Sequence, residues 1–344
     1  MTLYLIGLGL GSKKHLTLEA LDLMERADKL ILDTYTSIIG DDLVKYLEER
    51  FGEKLIEAER SMLEDDVEKV IEEAEEKDLA ILVPGDPLIA TTHISIIIEA
   101  IKKGVRYKLV HGLSIVCAAI SASCLQAYKF GKTITIPKRG YGVETCYRVI
   151  AENLEKGLHT LILLDTAEGG LRIIDALRIL LDAEERIGKG IISPEGLVIC
   201  LARIGFGDEL RFAGRISEAL SRSYPPPPHA LIIPGELHFA EIEALKEVLG
   251  ADEEALRAYK PRRFERERIK SYIFKVDEVM RRLEIKKDEK TSEAIRIAES
   301  YLEDAKRFLE HGDLFDSLAA ISYAEGILDG LRFLGEIYFE WPKT

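Results

Sequence analysis

The segment LAILVPGDPLIATTH at residues 79–93 decides the fold. Its first five residues, Leu79–Val83, form a continuous apolar run that is too short for a helix and ends at a proline and a glycine. This pattern predicts a strand buried on both faces of a mainly parallel sheet. The following PGDP turn (84–87) combines two fixed φ angles with a glycine, so it presents Asp86 at the carboxyl end of the strand. Open α/β sheets bind their ligands at this edge.

Asp86 allows two interpretations. Its carboxylate can bind a ligand at the strand end. Alternatively, it can cap the helix that the apolar pattern predicts over residues 89–101, because aspartate is a favoured N-cap residue. The turn by itself leaves both interpretations open.

Length and composition exclude several classes of protein. A chain of 344 residues is expected to hold about two or three domains. Because no apolar run reaches the ~18 residues of a spanning helix, and no signal peptide precedes the first strand, we expect a soluble cytoplasmic protein. The net charge of −14 argues against a dedicated nucleic-acid surface. The scarcity of asparagine and glutamine among 31% charged residues is typical of a thermophile.

The four cysteines form no C-x-x-C pair and lie in apolar or mixed segments. This arrangement favours reduced thiols in the core over a disulfide or a metal site. We therefore predict no bound metal.

Residues 1–111 are predicted to form an N-terminal α/β domain. Its glycines at 7, 9 and 11 resemble a dinucleotide-binding turn, and Asp33 ends the next strand at the distance of a ribose-binding acid. Ser12 stands where that fingerprint needs a glycine, so the pattern argues against a Rossmann nucleotide site. The apolar patterns predict strands at 2–8, 29–32, 79–83 and 107–110, and helices at 17–26, 64–77 and 89–101.

Residues 112–260 are predicted to form a second α/β domain, which leaves a cleft between the two. Ser114 precedes an apolar helix at 115–122, whose unpaired amides can bind a carboxylate or an adenine edge, although a simple N-cap explains this serine as well. His229 follows a proline run at the start of the last strand, where a structural role is the commoner one. Further patterns predict strands at 133–136, 159–164, 197–202 and 230–233, and helices at 144–155, 171–182 and 239–249.

Residues 261–344 show no strand signal and are predicted to form a helical module. Apolar residues recur at helical spacing on both sides of Gly312, a C-cap signal, and Asp313, an N-cap signal. An antiparallel helical hairpin is expected there, and a helix near 265–283 completes a three-helix unit.

Eight sequence blocks, in order, resemble the diphthine synthase family. That family belongs to the tetrapyrrole-methylase-like class of S-adenosylmethionine methyltransferases, and the resemblance covers about residues 1–258. The blocks are LYLIGLGLG (3–11), YTS (35–37), PGDPLIATTH (84–93), HGLSI (111–115), YKFGKT (128–133), GLHTLILLD (157–165), LARIG (201–205) and PPPPHALIIPG (225–235).

The resemblance implies a fold, a cofactor and partners. It implies two tandem α/β domains of the tetrapyrrole methylase type, a homodimer, and S-adenosylmethionine bound in the interdomain cleft, from which S-adenosylhomocysteine leaves. The implied substrate is a histidine of translation elongation factor 2 that carries a 3-amino-3-carboxypropyl group, methylated up to three times on its amino nitrogen. The implied cofactor contacts are Leu10, Asp86, Ile89, Ser114, Ile115, Leu164, Ile204 and His229.

Parts of the chain depart from the family. Residues 59–66 and 137–144 do not keep its pattern, so contacts with the protein substrate are not assigned there. The helical module is similar instead to a small all-helical archaeal domain family of unknown function. Sequence identifies neither a catalytic base nor a role for this module.

Two other functions fit parts of the pattern. A methyltransferase of the corrin or tetrapyrrole pathway would share the GDP turn but is not expected to carry the YKFGKT and PPPPH blocks. A noncatalytic S-adenosylmethionine-binding scaffold for the helical module is the second alternative. Binding of the cofactor without methyl transfer would favour that scaffold.

Overall fold

The computed structural model describes residues 1–285 and 289–342. The chain divides into an α/β unit, Met1–Pro261, and a helical unit, Arg262–Thr344. The predicted module of 261–344 includes residues 286–288 and 343–344, which lie outside the described residues. Among the described residues, no helix has the length and the apolar character needed to cross a bilayer.

The first sheet is parallel throughout and has the order β3-β2-β4-β1-β5. Its central strand is the predicted apolar pentad, and all five of its residues are buried. Helices cover both faces, which explains why this central strand is apolar at every position. The strands are β1 (Thr2–Gly7), β2 (Lys29–Asp33), β3 (Leu55–Ala58), β4 (Leu79–Val83) and β5 (Arg106–Val110).

The helices of this half follow the predicted pattern in part. Thr17 caps the first helix by accepting a hydrogen bond from the Ala20 amide at 3.0 Å, as expected. The sequence patterns missed strand β3 and the helices at Asp41–Phe51 and Arg60–Glu64, and the predicted helix at 64–77 is found at Val67–Glu76. The helices are α1 (Leu18–Arg26), α2 (Asp41–Phe51), α3 (Arg60–Glu64), α4 (Val67–Glu76) and α5 (Ile94–Lys102). The next helix along the chain, α6 (Ile115–Ala122), belongs to the second half.

The predicted helix over residues 89–101 was wrong at its start, because α5 begins only at Ile94. Ala90 has a φ of 59°, which a helix does not accommodate. The Thr91 hydroxyl also donates to the Pro87 carbonyl and closes a turn. Residues 86–93 therefore form a folded loop above the sheet, and Ile89 lies in that loop instead of in a helix.

Three glycines bring the ends of β1, β4 and β5 into backbone contact. A Cβ on Gly7 would lie 2.7 Å from the Gly85 carbonyl oxygen, and a Cβ on Gly112 would lie 2.8 Å from the Gly7 Cα. Gly9 and Gly85 then pair as an isolated bridge, with the Gly85 amide donating to the Gly9 carbonyl at 2.9 Å. The loops that follow the three strands consequently begin at one point.

The second sheet is mixed and has the order β6-β7-β10-β8-β9, with only β6 and β7 parallel. Helices α7, α8 and α9 pack on one face, and α6, α10 and α11 pack on the other. The sequence patterns missed β9, α9 and α11. The elements are β6 (Ile134–Ile136), α7 (Val143–Glu155), β7 (Thr160–Leu164), α8 (Ile173–Ile187), β8 (Leu197–Ala202), β9 (Leu210–Arg215), α9 (Ile216–Leu220), β10 (His229–Ile233), α10 (Phe239–Leu249) and α11 (Glu253–Ala258).

A buried carboxylate holds the YKFGKT and GLHTLILLD blocks together. Glu241 is 1% exposed and accepts hydrogen bonds from His159 at 3.0 Å, Lys129 at 2.5 Å and the Gln126 amide at 2.9 Å. Burial alone raises the pKa of this carboxyl, but the hydrogen bonds, led by that from His159, outweigh it and lower the pKa to about 2. These blocks therefore stabilise the second half of the α/β unit.

The helical unit is the predicted three-helix arrangement. It consists of α12 (Phe264–Arg282), α13 (Glu289–His311) and α14 (Leu314–Phe333) around its own apolar core. Gly312 has a φ of 83° and Asp313 accepts from the Asp316 amide, which confirms the predicted hairpin turn. The prediction that this unit has no strand was wrong, since β11 (Glu284–Ile285) pairs with β12 (Ile337–Tyr338) in an antiparallel ribbon.

The four cysteines are free thiols, but only two fit the predicted core location. Cys146 and Cys200 are buried, whereas Cys124 is half-buried and Cys117 is exposed on α6. Burial raises the pKa of Cys200 to about 12, which makes this thiol unreactive.

We predict that Gly112→Ala destabilises the α/β unit by about 1–3 kcal/mol, because the added methyl group would overlap backbone that has no room to retreat. Gly207→Ala is the matched control, since a Cβ there meets no atom within 4 Å. Urea unfolding of the two variants measures the difference. Equal stability of both would contradict the close approach.

Candidate active site

A cavity of about 260 Å³ lies in the α/β unit, at the carboxyl ends of the strands of the first sheet and of β7 and β8, beside the start of β10. Loops from both halves of this unit line it, as expected for open α/β sheets. The structure places all eight predicted cofactor contacts on its wall: Leu10, Asp86, Ile89, Ser114, Ile115, Leu164, Ile204 and His229. Their contact with a cofactor remains a prediction.

Asp86 is 4% exposed and supports the loop that carries it. Its Oδ1 accepts from the Leu88 amide at 3.0 Å, and its Oδ2 accepts from His111 Nδ1 at 2.8 Å. The interpretation of Asp86 as a helix N-cap was wrong, because α5 begins eight residues later, after His93. Each carboxylate oxygen keeps a further lone pair, so the group can still accept a hydrogen bond from a ligand.

Ser114 caps α6, and its Oγ accepts from the Val116 amide at 3.2 Å. The capping interpretation is thus correct. It does not exclude ligand binding at the start of this helix, because both Ser114 and Ile115 line the cavity. The positive end of the α6 dipole points toward this wall, which favours an anionic or hydrogen-accepting ligand group.

His229 is fixed by the backbone on both sides of its ring. Nδ1 accepts from the Ile173 amide at 3.2 Å, and Nε2 donates to the Pro225 carbonyl at 2.8 Å. Burial is the main cause that lowers the pKa of His229, so the ring is neutral. The residue joins α8, β10 and the proline run and has no free nitrogen to accept a proton.

Aliphatic side chains form the remaining predicted wall. Leu10, Leu164 and Ile204 are each at most 8% exposed, whereas Ile89 is 40% exposed at the rim. Gly205 brings the loop after β8 against the loop after β1, since a Cβ on it would lie 2.6 Å from the Leu10 Cβ. This apolar slot suits a flat aromatic ring system.

The sequence analysis missed several residues that line the cavity, including Phe206 and the polar group of Thr36, Ser37, Thr135 and Thr166. Phe206 packs against Gly11 and beneath the Arg203 guanidinium, which lies 4.2 Å from the ring centroid. The YTS block at 35–37 carried a signal for Thr36 and Ser37. No local signal marks the others.

A buried histidine–aspartate contact beneath the cavity connects two of its loops. His93 Nε2 and Asp33 Oδ2 are 3.3 Å apart, and the two side chains are 1% and 0% exposed. Asp33 Oδ1 also accepts from the Tyr35 and Thr36 amides at 3.1 and 3.0 Å. Burial lowers the pKa of His93. Asp33 therefore anchors loops 34–38 and 86–93 and does not serve as a ribose-binding acid.

Comparisons with known proteins agree with this geometry. Residues 2–220 match the family model described as Tetrapyrrole (Corrin/Porphyrin) Methylases, and residues 271–337 match a protein family of unknown function, DUF357. Diphthine synthase from Staphylothermus marinus is 42% identical over 75% of this chain and 97% of its own length. The corresponding protein of Methanocaldococcus jannaschii is 40% identical over 71% and 97%.

A comparison with solved structures also finds diphthine synthases. A crystal structure of diphthine synthase superimposes with a TM-score of 0.69 and 32% identity, covering 75% of this chain and 100% of its own. The similarity thus spans nearly the whole length of these relatives.

Proposed function

Because the chain belongs to the diphthine synthases, S-adenosylmethionine-dependent methyltransferases within the tetrapyrrole methylase family, we propose the following reaction. The enzyme methylates the amino group of a 3-amino-3-carboxypropyl-modified histidine of translation elongation factor 2, up to three times. The proposed substrate is a cytoplasmic protein.

One observation carries the proposal. Eight residues that are spread from Leu10 to His229 line a single cavity in the α/β unit. Family resemblance selects all eight, and local sequence patterns independently point to Asp86, Ser114 and His229 among them.

The cavity suits the proposed cofactor. When bound, S-adenosylmethionine supplies an electrophilic methyl group attached to a sulfonium. We propose that Leu10, Leu164 and Ile204 hold the adenine of the cofactor. The start of α6 at Ser114 and Ile115 binds an edge of the cofactor that accepts hydrogen bonds. Asp86 accepts a hydrogen bond from a donor group of the cofactor.

The residues of the chain position the reactants and exclude water. The attacking amine must be neutral, and it must release a proton after each of the first two transfers. His229 is not the acceptor, because both of its ring nitrogens are occupied. We propose that solvent takes the proton at the open side of the cavity.

Mass spectrometry of the modified elongation factor tests the reaction. Incubation with the enzyme and S-adenosylmethionine is expected to add up to three methyl groups, all stable to alkali because they are bound to nitrogen. An alkali-labile fourth methyl group would show esterification of the carboxylate and contradict this specificity. Binding of the cofactor without any transfer would contradict the function itself.

We predict that Asp86→Asn weakens S-adenosylmethionine binding by roughly 1.5 to 3 kcal/mol, the contribution of a charge-assisted hydrogen bond. Asparagine can still accept from the Leu88 amide, so the loop is expected to persist. Calorimetric titration measures the affinity, and a thermal melt verifies the fold. Unchanged affinity in the folded variant would remove Asp86 from the cofactor contacts.

We further propose that the enzyme is a homodimer that uses the outer face of α5. Ile94, Ile98 and Ile101 follow one another at helical spacing and are 52%, 47% and 57% exposed. The opposite face, with Ile96, Ile97 and Ala100, is buried against the sheet. A contiguous exposed aliphatic stripe of this kind is typical of a surface covered by a partner.

We predict that Ile98→Arg converts the dimer into a monomer, because the partner would have to bury an unpaired charge. Sedimentation velocity measures the mass. Val248→Arg on α10 is the control, since Val248 is 59% exposed outside this stripe. A dimer that survives Ile98→Arg would exclude this face.

A further inference from the structure

A second cavity, of about 530 Å³, adjoins the first within the α/β unit. Ser37, Ile38 and Thr166 line both cavities, so the two share a wall. The Thr166 hydroxyl donates to the Thr36 carbonyl at 3.0 Å and fixes the two loops that form this boundary. A ligand in the second cavity would thus reach the first cavity, the proposed cofactor site, at this boundary.

One side of the second cavity carries hydrogen-bond donors. Arg60, at the start of α3, engages Glu64 through Nε at 2.7 Å, and the described residues give its two terminal nitrogens no hydrogen-bond partner. Its side chain is 74% exposed and accessible to an incoming ligand. Planar recognition of a carboxylate by two parallel N–H groups is the characteristic use of a guanidinium.

Tyr35 lines the same cavity beside Arg60. Its hydroxyl is buried and has no hydrogen-bond partner in the described part of the chain. Burial, followed by the negative charges of Asp33 and Glu64, raises the pKa of Tyr35 to about 12, so the hydroxyl remains a neutral donor. A buried donor without an acceptor is unusual, and a ligand carboxylate in this cavity is an acceptor that the hydroxyl can use.

The opposite side of the cavity is formed by Thr166, Ala167, Glu168 and Gly169. Arg139 pairs with Glu168 at 2.7 Å and neutralises its charge. Both charged side chains of the second cavity are therefore paired, Arg60 with Glu64 and Glu168 with Arg139, but the two terminal nitrogens of Arg60 still have N–H groups to donate. This distribution favours a ligand whose anionic end points toward Arg60.

We propose that this second cavity is the binding site for the aminocarboxyl side chain of the protein substrate, with Arg60 and Tyr35 holding its carboxylate. The inference rests on the proposed function. With the carboxylate fixed there, the amino group on the same carbon is directed toward the boundary formed by Ser37, Ile38 and Thr166. The two residues thus select a substrate that already carries its carboxylate and orient its amine.

Steady-state kinetics with the modified elongation factor tests the site. Arg60→Gln is expected to raise KM for the factor about tenfold or more, and Tyr35→Phe about threefold to tenfold. Cofactor affinity, measured by calorimetry, is expected to stay within about twofold of the wild type, because neither residue lines the first cavity. Direct binding of the modified factor in the presence of S-adenosylhomocysteine should weaken in parallel and gives a readout independent of turnover.

Two controls separate recognition from local structure. Arg257→Gln removes an exposed arginine from an equivalent i,i+4 pair with Glu253 and is expected to behave as the wild type. Glu64→Gln breaks the Arg60 ion pair but keeps the guanidinium, so KM should not rise as it does in Arg60→Gln.

The outcomes distinguish the two proposals. This site alone is overturned if the wild type is active and both Arg60→Gln and Tyr35→Phe have the same KM for the factor as the wild type. A rise in KM in Glu64→Gln equal to that in Arg60→Gln also overturns it, because the ion pair would then be the cause. A wild-type enzyme that binds the cofactor but transfers no methyl group overturns the proposed function, and this inference with it.

Discussion

Backbone packing among Gly7, Gly85 and Gly112 is the constraint on which the site depends. These residues lie at or just after the ends of three neighbouring strands of the first sheet. A side chain on Gly7 or on Gly112 would overlap the backbone of the other two glycines. Three loops consequently leave the sheet from one point and carry Leu10, Asp86 and Ser114 to one side of the cavity. The glycine run after β1, which resembles a dinucleotide-binding turn, serves this contact and the bridge between Gly9 and Gly85.

Buried polar groups then stabilise the loops that line the cavity. Asp33 with His93, Asp86 with His111, and His229 with two backbone groups each join segments that are distant in sequence. Polar groups are costly to bury unless they are hydrogen-bonded. The hydrogen bonds of Asp86 and His229 hold their loops in one geometry, and Asp33 does the same through the Tyr35 and Thr36 amides. Histidines near the cavity thus have supporting roles, and the chemistry that we propose needs alignment more than acid–base catalysis.

The helical unit is a separate compact part of the chain. Every residue that lines the cavity precedes Leu231, and the unit from Arg262 onward has a core of its own. The two family models divide the chain in the same way, since residues 2–220 match the tetrapyrrole methylases and residues 271–337 match DUF357. The α/β unit therefore contains the complete set of predicted cofactor contacts.

Local sequence patterns determined the elements whose signals are local. The strand Leu79–Val83, the caps at Thr17 and Ser114, and the turn at Gly312 and Asp313 follow from apolar runs and capping residues alone. The pairing of α/β halves and the fold class followed from the alternation of such elements together with the family resemblance. The eight residues around the cavity were selected by resemblance, and their convergence is visible only in three dimensions.

Tertiary structure decided the rest, because the deciding contacts lie far apart in sequence. The edge strands β3 and β9 carry polar residues that weaken their apolar pattern, and only pairing with β2 and β8 makes them strands. The late start of α5 reflects the left-handed conformation of Ala90 within a loop anchored by Asp33 and His93, which are sixty residues apart. Whether Asp86 capped a helix or faced a cavity depended on that loop, so propensity alone left the two interpretations equal.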